Sequence, residues 1–258
     1  MTRAPFFAVS GLRLRFWPVL LAIVAIGVLM QLCLIPAREL ARWIFFTAGP
    51  ASWAAHVGLY GFVATMLLGL CGLIGILVMR RVLPQAEGHL RWPAPGRSLV
   101  GPAVLVGVVM GLVMLVADYW PALLAGEAPV ASYSLDPAIA AGVLLAMITT
   151  GLGEETLFRG LMVGLMVVAV PGRVRAGRFE VPVGGVIVAL LFGVAHYESF
   201  YEDPLHLAVA QQVYAFVWGL VYVWLMERSR SLVAPIVAHG VGNFVEFGLV
   251  MAMMAARG

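Results

Sequence analysis

Seven apolar segments constrain the fold of this chain more than any other feature. About 20 consecutive apolar residues are needed for a helix to cross a bilayer. Hydrophobic residues make up 62% of the 258 positions and charged residues only 11%, whereas soluble domains carry about 25% charged residues. The sequence therefore predicts an all-α polytopic membrane protein with about seven transmembrane helices. The predicted segments are 16–35, 57–79, 99–117, 138–170, 184–196, 207–226 and 232–255.

Three stretches complicate this count. Residues 37–46 carry charges beside Trp43 and are predicted to form an interfacial helix. The fourth segment is too long for one straight crossing, so we expect either a break at Gly151 and Gly153 or a preceding short surface helix. An eighth helix, formed by a re-entrant outer segment, is the alternative. The first segment follows several arginines, as in a signal peptide, but its length favours a retained helix.

The arginines test the count independently. All sixteen basic residues are Arg. With a cytoplasmic N-terminus, twelve fall on the cytoplasmic side and three outside, the distribution that the positive-inside rule expects. The cytoplasmic set is Arg3, Arg13, Arg15, Arg80, Arg81, Arg91, Arg97, Arg173, Arg175, Arg178, Arg228 and Arg230, and the outer set is Arg38, Arg42 and Arg257.

Composition also excludes some functions. The net charge is +3, but most of the arginines lie in short loops, where they set topology. Nucleic-acid binding is therefore a poor interpretation. Cys33 and Cys71 lie in apolar segments without metal-site or disulfide spacing. Because the chain has no repeat or linker, we expect one integrated membrane domain.

Polar residues inside three of the apolar segments need a physical reason, because a charge at the bilayer centre costs several kcal/mol. Glu155 and Arg159 can pair at i, i+4 on one face of a helix. Glu154 is rotated by about 100° from Glu155, which leaves it free for another role. His196 ends the fifth segment, and the seventh contains His239 and Asn243 on one face, with Glu246 one turn further on.

The depths of these residues predict one shared polar cavity. Counting about 1.5 Å per residue places Glu154, His196, His239 and Asn243 between the midplane and the outer third of the membrane. Such a cavity opens more readily to the outer face than to the cytoplasm.

Taken singly, several of these residues have simpler interpretations. A lone intramembrane His is often a packing partner, Glu155 and Arg159 are typical of a structural ion pair, and Glu246 is expected to line a cavity or lie near the interface. Outside this set, His206 is expected at an interface, His56 and His89 in ordinary loops, and Glu198 in solvent. Packing alone does not explain the four residues at one depth.

The motifs that carry these residues resemble a known family. Glu-Glu-x-x-x-Arg at 154–159, Phe-x-x-x-His at 192–196 and His-x-x-x-Asn at 239–243 occur in the order typical of the CPBP family of CAAX proteases and bacteriocin-processing (ABI) proteins. Phe158-Arg159-Gly160 and Ala234-Pro235-Ile236 extend the likeness. The resemblance covers roughly 138–249 and implies a conical CAAX-protease-like helical core within 131–258, preceded by N-terminal helices and the interfacial segment in 1–130.

The resemblance implies a glutamic-type intramembrane endopeptidase. Glu154 with His196 would activate a water, His239 and Asn243 would stabilise the oxyanion, and Glu155 and Arg159 would support them. Glu154, His196 and His239 could instead bind zinc with a water as the fourth ligand. A metal-free mechanism is favoured, because the chain has no His-Glu-x-x-His helix.

The expected partners are the lipid bilayer and a membrane-anchored protein or peptide. The outward cavity in a bacterial-looking inner-membrane protein favours removal of a C-terminal sorting anchor. A non-catalytic scaffold or bacteriocin-immunity protein is one alternative. A proton-coupled transporter is another, although the first three segments hold no counterpart of the polar set, as two related halves would.

Overall fold

The computed structural model describes residues 6–12, 16–48, 57–131 and 133–256. Seven helices in this part are long and apolar enough to cross a membrane, which confirms the predicted fold class. Arg3, Arg13, Arg15, His56 and Arg257 lie outside it. In chain order the elements are β1 (Phe7–Ser10), α1 (Phe16–Ala48), α2 (Val57–Val82), α3 (Val100–Leu124), α4 (Pro137–Glu155), a π-helical segment (Thr156–Met162), α5 (Val163–Ala169), β2 (Arg173–Ala176), β3 (Phe179–Pro182), α6 (Val183–Val194), α7 (Ser199–Glu202), α8 (Leu205–Ser229) and α9 (Val233–Ala255).

Helix α1 continues through the stretch predicted to be a separate interfacial helix. Pro36 lies inside it, and such residues are tolerated in transmembrane helices where neighbouring groups satisfy the freed backbone. One buried stripe at helical spacing runs along α1 on both sides of this proline and includes Met30, Cys33, Ala37 and Ala41. The prediction of a separate helix at 37–46 was therefore wrong, because the packed face does not change direction at Pro36.

The fourth span is one continuous helical path, and the predicted break at Gly151 and Gly153 does not occur. Both glycines lie inside α4, where they allow close packing. A Cβ on Gly151 would lie 2.4 Å from the carbonyl oxygen of Ile236 in α9, and one on Gly153 would lie 2.3 Å from that of Thr65 in α2. Small residues at such crossings let helix backbones approach in membranes.

The irregularity falls later in this span, where α4 gives way to the π-helical segment. All seven of its residues are buried. Single π-turns inside α-helices are rare and frequently occur at functional sites. This one directly follows Glu154 and Glu155.

The sequence did not predict a small three-stranded sheet. Strand β1 pairs antiparallel with β2, with Val9 opposite Val174, and β2 pairs antiparallel with β3. Gly177, at φ +59°, allows the tight turn between β2 and β3. Because β1 and β2 must lie on the same side of the membrane to pair, the chain between them crosses an even number of times, in agreement with four spans.

Contacts between loops place the same helix ends on one side of the protein as the arginine count does. The Arg91 side chain donates to the carbonyl oxygen of Arg230 at 2.9 Å, and Arg173 donates to Glu227 at 2.9 Å. These contacts join three loops that the arginine count places together. At the opposite end, Arg38 of α1 donates to Glu198 beyond α6 at 2.8 Å.

Close helix packing at Gly153 gives a direct test. We expect Gly153→Ala to lower the free energy of unfolding by about 1–3 kcal/mol, because its methyl group would overlap the α2 backbone. Thermal unfolding in detergent measures the change. Gly27→Ala in α1 is the matched control, since nothing lies within 4 Å of its Cβ position. Equal stability of the two variants would contradict this account of α2–α4 packing.

Candidate active site

Three helical regions bring the predicted site residues to one cavity of about 340 Å³. Glu154 comes from the end of α4, His196 from the turn after α6, and His239 and Asn243 from α9. The cavity therefore collects all four residues for which the sequence predicted a common depth. Its remaining lining is Thr65, Met110, Met114, Met147, Thr150, Phe192, Gln211, Tyr214, Ala215, Trp218, Tyr222, Glu246 and Phe247.

Glu154 is the accessible member of the glutamate pair. Its side chain is 22% exposed, and its Oε2 lies 3.9 Å from Nε2 of His239. No hydrogen-bond partner for this oxygen exists within the described part of the chain. A water about 2.8 Å from each atom could therefore bind Glu154 and His239 together.

His196 is fixed through both its ring and its backbone. Its Nδ1 lies 2.8 Å from the carbonyl oxygen of Phe192, which can only accept, so Nδ1 carries the proton of the neutral ring. Nε2 then holds the free lone pair. The carbonyl oxygen of His196 accepts hydrogen bonds from Gln212 at 2.9 Å and from Ser199 at 2.8 Å.

Glu155 points away from Glu154 and contacts both Arg159 and His239. Its Oε1 lies 2.8 Å from Nδ1 of His239 and accepts a hydrogen bond from Arg159 at 3.0 Å. The side chains of Glu155 and Arg159 are both 0% exposed. The i, i+4 pair predicted from the sequence forms, and Glu155 also holds His239 so that its Nε2 faces Glu154.

Arg159 is enclosed by aromatic rings. Its guanidinium carbon lies 4.2 Å from the ring centroid of Phe192, 4.9 Å from that of Tyr222 and 5.9 Å from that of Phe158. Cation–π attraction is strongest where water is excluded. Gly219 leaves room for this group, because a Cβ there would lie 3.1 Å from Nη2.

Helix α8 supplies the parts of the site that sequence reasoning missed. The Tyr222 ring stacks on His239 at a centroid distance of 5.0 Å and an interplanar angle of 15°. The same ring lies 4.9 Å from the guanidinium carbon of Arg159, so Tyr222 contacts both partners of Glu155. The signal available in the sequence was the pair Gln211 and Gln212 inside an otherwise apolar span, which marks a polar face of that helix.

Other predicted residues have mixed outcomes. Glu246 is buried and lines the cavity, and His206 lies against Trp120 at the start of α8. His89 is not an ordinary loop residue, because it is 6% exposed and lies 3.5 Å from both Glu87 and Glu227. Glu198 is not simply solvated either, because it forms the ion pair with Arg38.

The cavity continues toward the side of the membrane predicted to be outer. An adjoining space of about 250 Å³ shares Glu154, Phe192, His196 and Gln211 with it and extends to the Arg38–Glu198 pair. The site is thus reached from the end of the protein that holds α7.

Zinc ligation, the alternative to a metal-free mechanism, depends on which donor atoms face the cavity. No three His, Cys, Asp or Glu side chains gather around one point among the residues that the structure describes. Nδ1 of His239 faces Glu155 and Nδ1 of His196 faces a backbone carbonyl, so Nε2 is the ring nitrogen that each histidine leaves open. The metal-free mechanism stays a prediction.

Comparison with known proteins gives one family. Residues 136–245 match the Rce1-like family, described as type II CAAX prenyl endopeptidase Rce1-like. No curated protein and no solved structure matches the chain. The matched segment includes Glu154, His196, His239 and Asn243. The predicted resemblance to the CPBP family is thereby confirmed over this segment, where the chain is similar to type II CAAX prenyl endopeptidases of the Rce1-like family.

Proposed function

We propose that this protein is an intramembrane endopeptidase that hydrolyses a peptide bond of a membrane-anchored protein or peptide. The family match supports a CAAX-type intramembrane protease fold, and Rce1-like proteins are typically peptidases. The observation that carries the proposal is the convergence of Glu154, His196, His239 and Asn243 on one cavity. The catalytic core is assigned to 131–258, with 1–130 as N-terminal helices around it.

In the proposed reaction, Glu154 and His196 activate a water molecule. The carboxylate of Glu154 and Nε2 of His196 are both free to accept a proton. One proton passes from the water to Glu154 as the oxygen attacks the scissile carbonyl carbon. That proton then moves to the amide nitrogen as the C–N bond breaks, so the reaction consumes one water and leaves the enzyme unchanged.

Asn243 and His239 act on the carbonyl oxygen. The Asn243 side-chain amide donates to the oxyanion as charge develops there. Because Nδ1 of His239 is turned to Glu155, its Nε2 is the nitrogen that faces the substrate, and this nitrogen donates to the oxyanion when the ring carries a proton on both nitrogens. The supporting role of Glu155 and Arg159 is to hold this ring in place within a buried, charge-balanced group.

The substrate class follows from where the cavity opens. An opening at the α7 end favours a substrate cut near the outer leaflet of a bacterial inner membrane, if the N-terminus is cytoplasmic as the arginines predict. A C-terminal sorting anchor is such a substrate. Its removal would release the preceding domain from the membrane.

Replacement of Glu154 tests the proposal. We expect Glu154→Gln to reduce cleavage by about 10²–10⁴-fold, since it removes a general base with little change in shape. Comparing the termini of membrane and secreted proteins in cells with wild type and variant measures the loss and reveals the substrate. Glu127→Gln, an exposed loop change, is the control. Unchanged termini alongside a persisting phenotype would favour a scaffold, and loss of solute flux a transporter.

A second prediction concerns metal dependence. We expect the purified enzyme to contain no stoichiometric zinc and to keep its activity in 1,10-phenanthroline, because the site lacks a three-ligand set. Elemental analysis together with a cleavage assay measures both properties. Loss of activity that returns on adding zinc would refute the metal-free mechanism.

Membrane orientation gives a third prediction. In a background with Cys33 and Cys71 replaced by Ala, a membrane-impermeant maleimide should label Glu127→Cys in intact cells. Arg97→Cys should be labelled only after permeabilisation, because its loop belongs to the arginine-rich side. The reverse pattern would place the N-terminus and the sheet outside.

A further inference from the structure

Two buried carboxyl groups beside the cavity take no part in the proposed reaction. Asp118 of α3 is 7% exposed and Glu246 of α9 is 6% exposed. The two carboxyl groups are close enough to interact with each other. The Tyr214 hydroxyl donates to Oδ2 of Asp118 at 3.1 Å, and Oδ1 of Asp118 accepts no hydrogen bond within the described ranges.

This pair lacks a protein cation. Among the residues described, no Arg or His forms an ion pair with either carboxylate, and His206 acts on Asp118 only at longer range. Arg159, which is buried in the membrane core, is engaged by Glu155. Buried carboxyls normally have an opposite charge or a full set of donors, so Asp118 and Glu246 are short of a positively charged partner.

The pair lies where a bound substrate would pass. Glu246 and Tyr214 line the catalytic cavity. Asp118 lines a neighbouring groove of about 790 Å³, which shares Met147 and Phe247 with the cavity. Asp118 and Glu246 therefore stand at the junction of the two spaces.

Acidic residues along the opening that leads to Asp118 and Glu246 favour a cationic occupant. Asp203 is exposed and lines both the groove and the outer extension of the cavity, and Glu202 lines the extension. Arg38, which lines the same extension, is paired with Glu198. Acidic groups along an opening raise the local concentration of cations.

We propose that Asp118 and Glu246 form a subsite that binds a basic side chain, Arg or Lys, of the substrate close to the cleaved bond. This assignment rests on the proposed endopeptidase function, because that function makes the bound peptide a substrate. Binding itself does not require catalysis. The ammonium or guanidinium group would donate to Oδ1 of Asp118, which has no other partner in the described ranges, and to the Glu246 carboxylate.

The spacing along α9 sets the distance from the reaction centre. Glu246 follows His239 by seven residues, about 10 Å along the helix axis at 1.5 Å per residue. An extended peptide covers that distance in about three residues at 3.3 Å each. The basic residue therefore belongs within about three positions of the cleaved bond.

Two short peptides test the subsite by isothermal titration calorimetry. Acetyl-Leu-Ala-Arg-Ala-Leu-amide is compared with the same peptide carrying citrulline, which replaces the guanidinium with a neutral urea of nearly the same shape. Binding is measured on full-length Glu154→Gln protein in detergent, so that cleavage does not interfere. We expect the arginine peptide to bind at least about tenfold more tightly.

Variants then locate the preference. Adding Asp118→Asn or Glu246→Gln should reduce it to less than about threefold, whereas adding Glu127→Gln should leave it unchanged. Equal binding of the two peptides by the Glu154→Gln protein overturns the proposal without relying on any pocket variant. A preference that survives in the Asp118→Asn/Glu246→Gln double variant also overturns it. Because binding is scored in a cleavage-deficient background, failure of the protease proposal would show separately, as unchanged protein termini in cells with wild type and with Glu154→Gln.

Discussion

One carboxylate oxygen holds the site together. Oε1 of Glu155 lies within hydrogen-bonding distance of both Arg159 and His239, deep in the protein and away from water. Removing either charge of a buried pair leaves the other uncompensated, which typically costs about 3–5 kcal/mol. The Arg159 guanidinium packs against the Phe192 ring, and the Tyr222 ring packs against both Arg159 and His239. Five helical elements, α4, the π-helical segment, α6, α8 and α9, thus depend on one shared contact for their mutual position.

Close backbone packing makes that contact reachable. The Cβ position of Gly151 is 3.1 Å from Cβ of His239, so a larger residue there would separate α4 from α9 at the level of the site. The π-helical segment then begins immediately after Glu155. The two neighbouring glutamates therefore lie in different environments, Glu154 in the cavity and Glu155 in the protein interior.

The sequence predicted what depends on short-range patterns. Seven spans follow from apolar length, the grouping of loops from arginine alternation, and the Glu155–Arg159 pair from i, i+4 spacing. The long-range contacts were out of reach. Nothing local shows that Tyr222 stacks on His239, that His89 is buried between two glutamates, or that β1 finds a partner in β2. The continuous α1 was missed because charges beside Trp43 are typical of an interfacial helix, and the unbroken α4 because Gly151 and Gly153 are usual signs of helix interruption. Tertiary packing overrides both here.

The pairing of β1 with β2 bears on how the chain assembles. β1 is synthesised first, but its partner strand follows the fourth span. The sheet can therefore close only after four helices have been threaded into the bilayer in the correct sense. Contacts between such distant parts of a chain form late, because the loop between them must first be ordered. A completed sheet therefore forms only in a chain whose first four spans are correctly inserted. It also ties β1 to the loop before α6, the helix that ends just before His196.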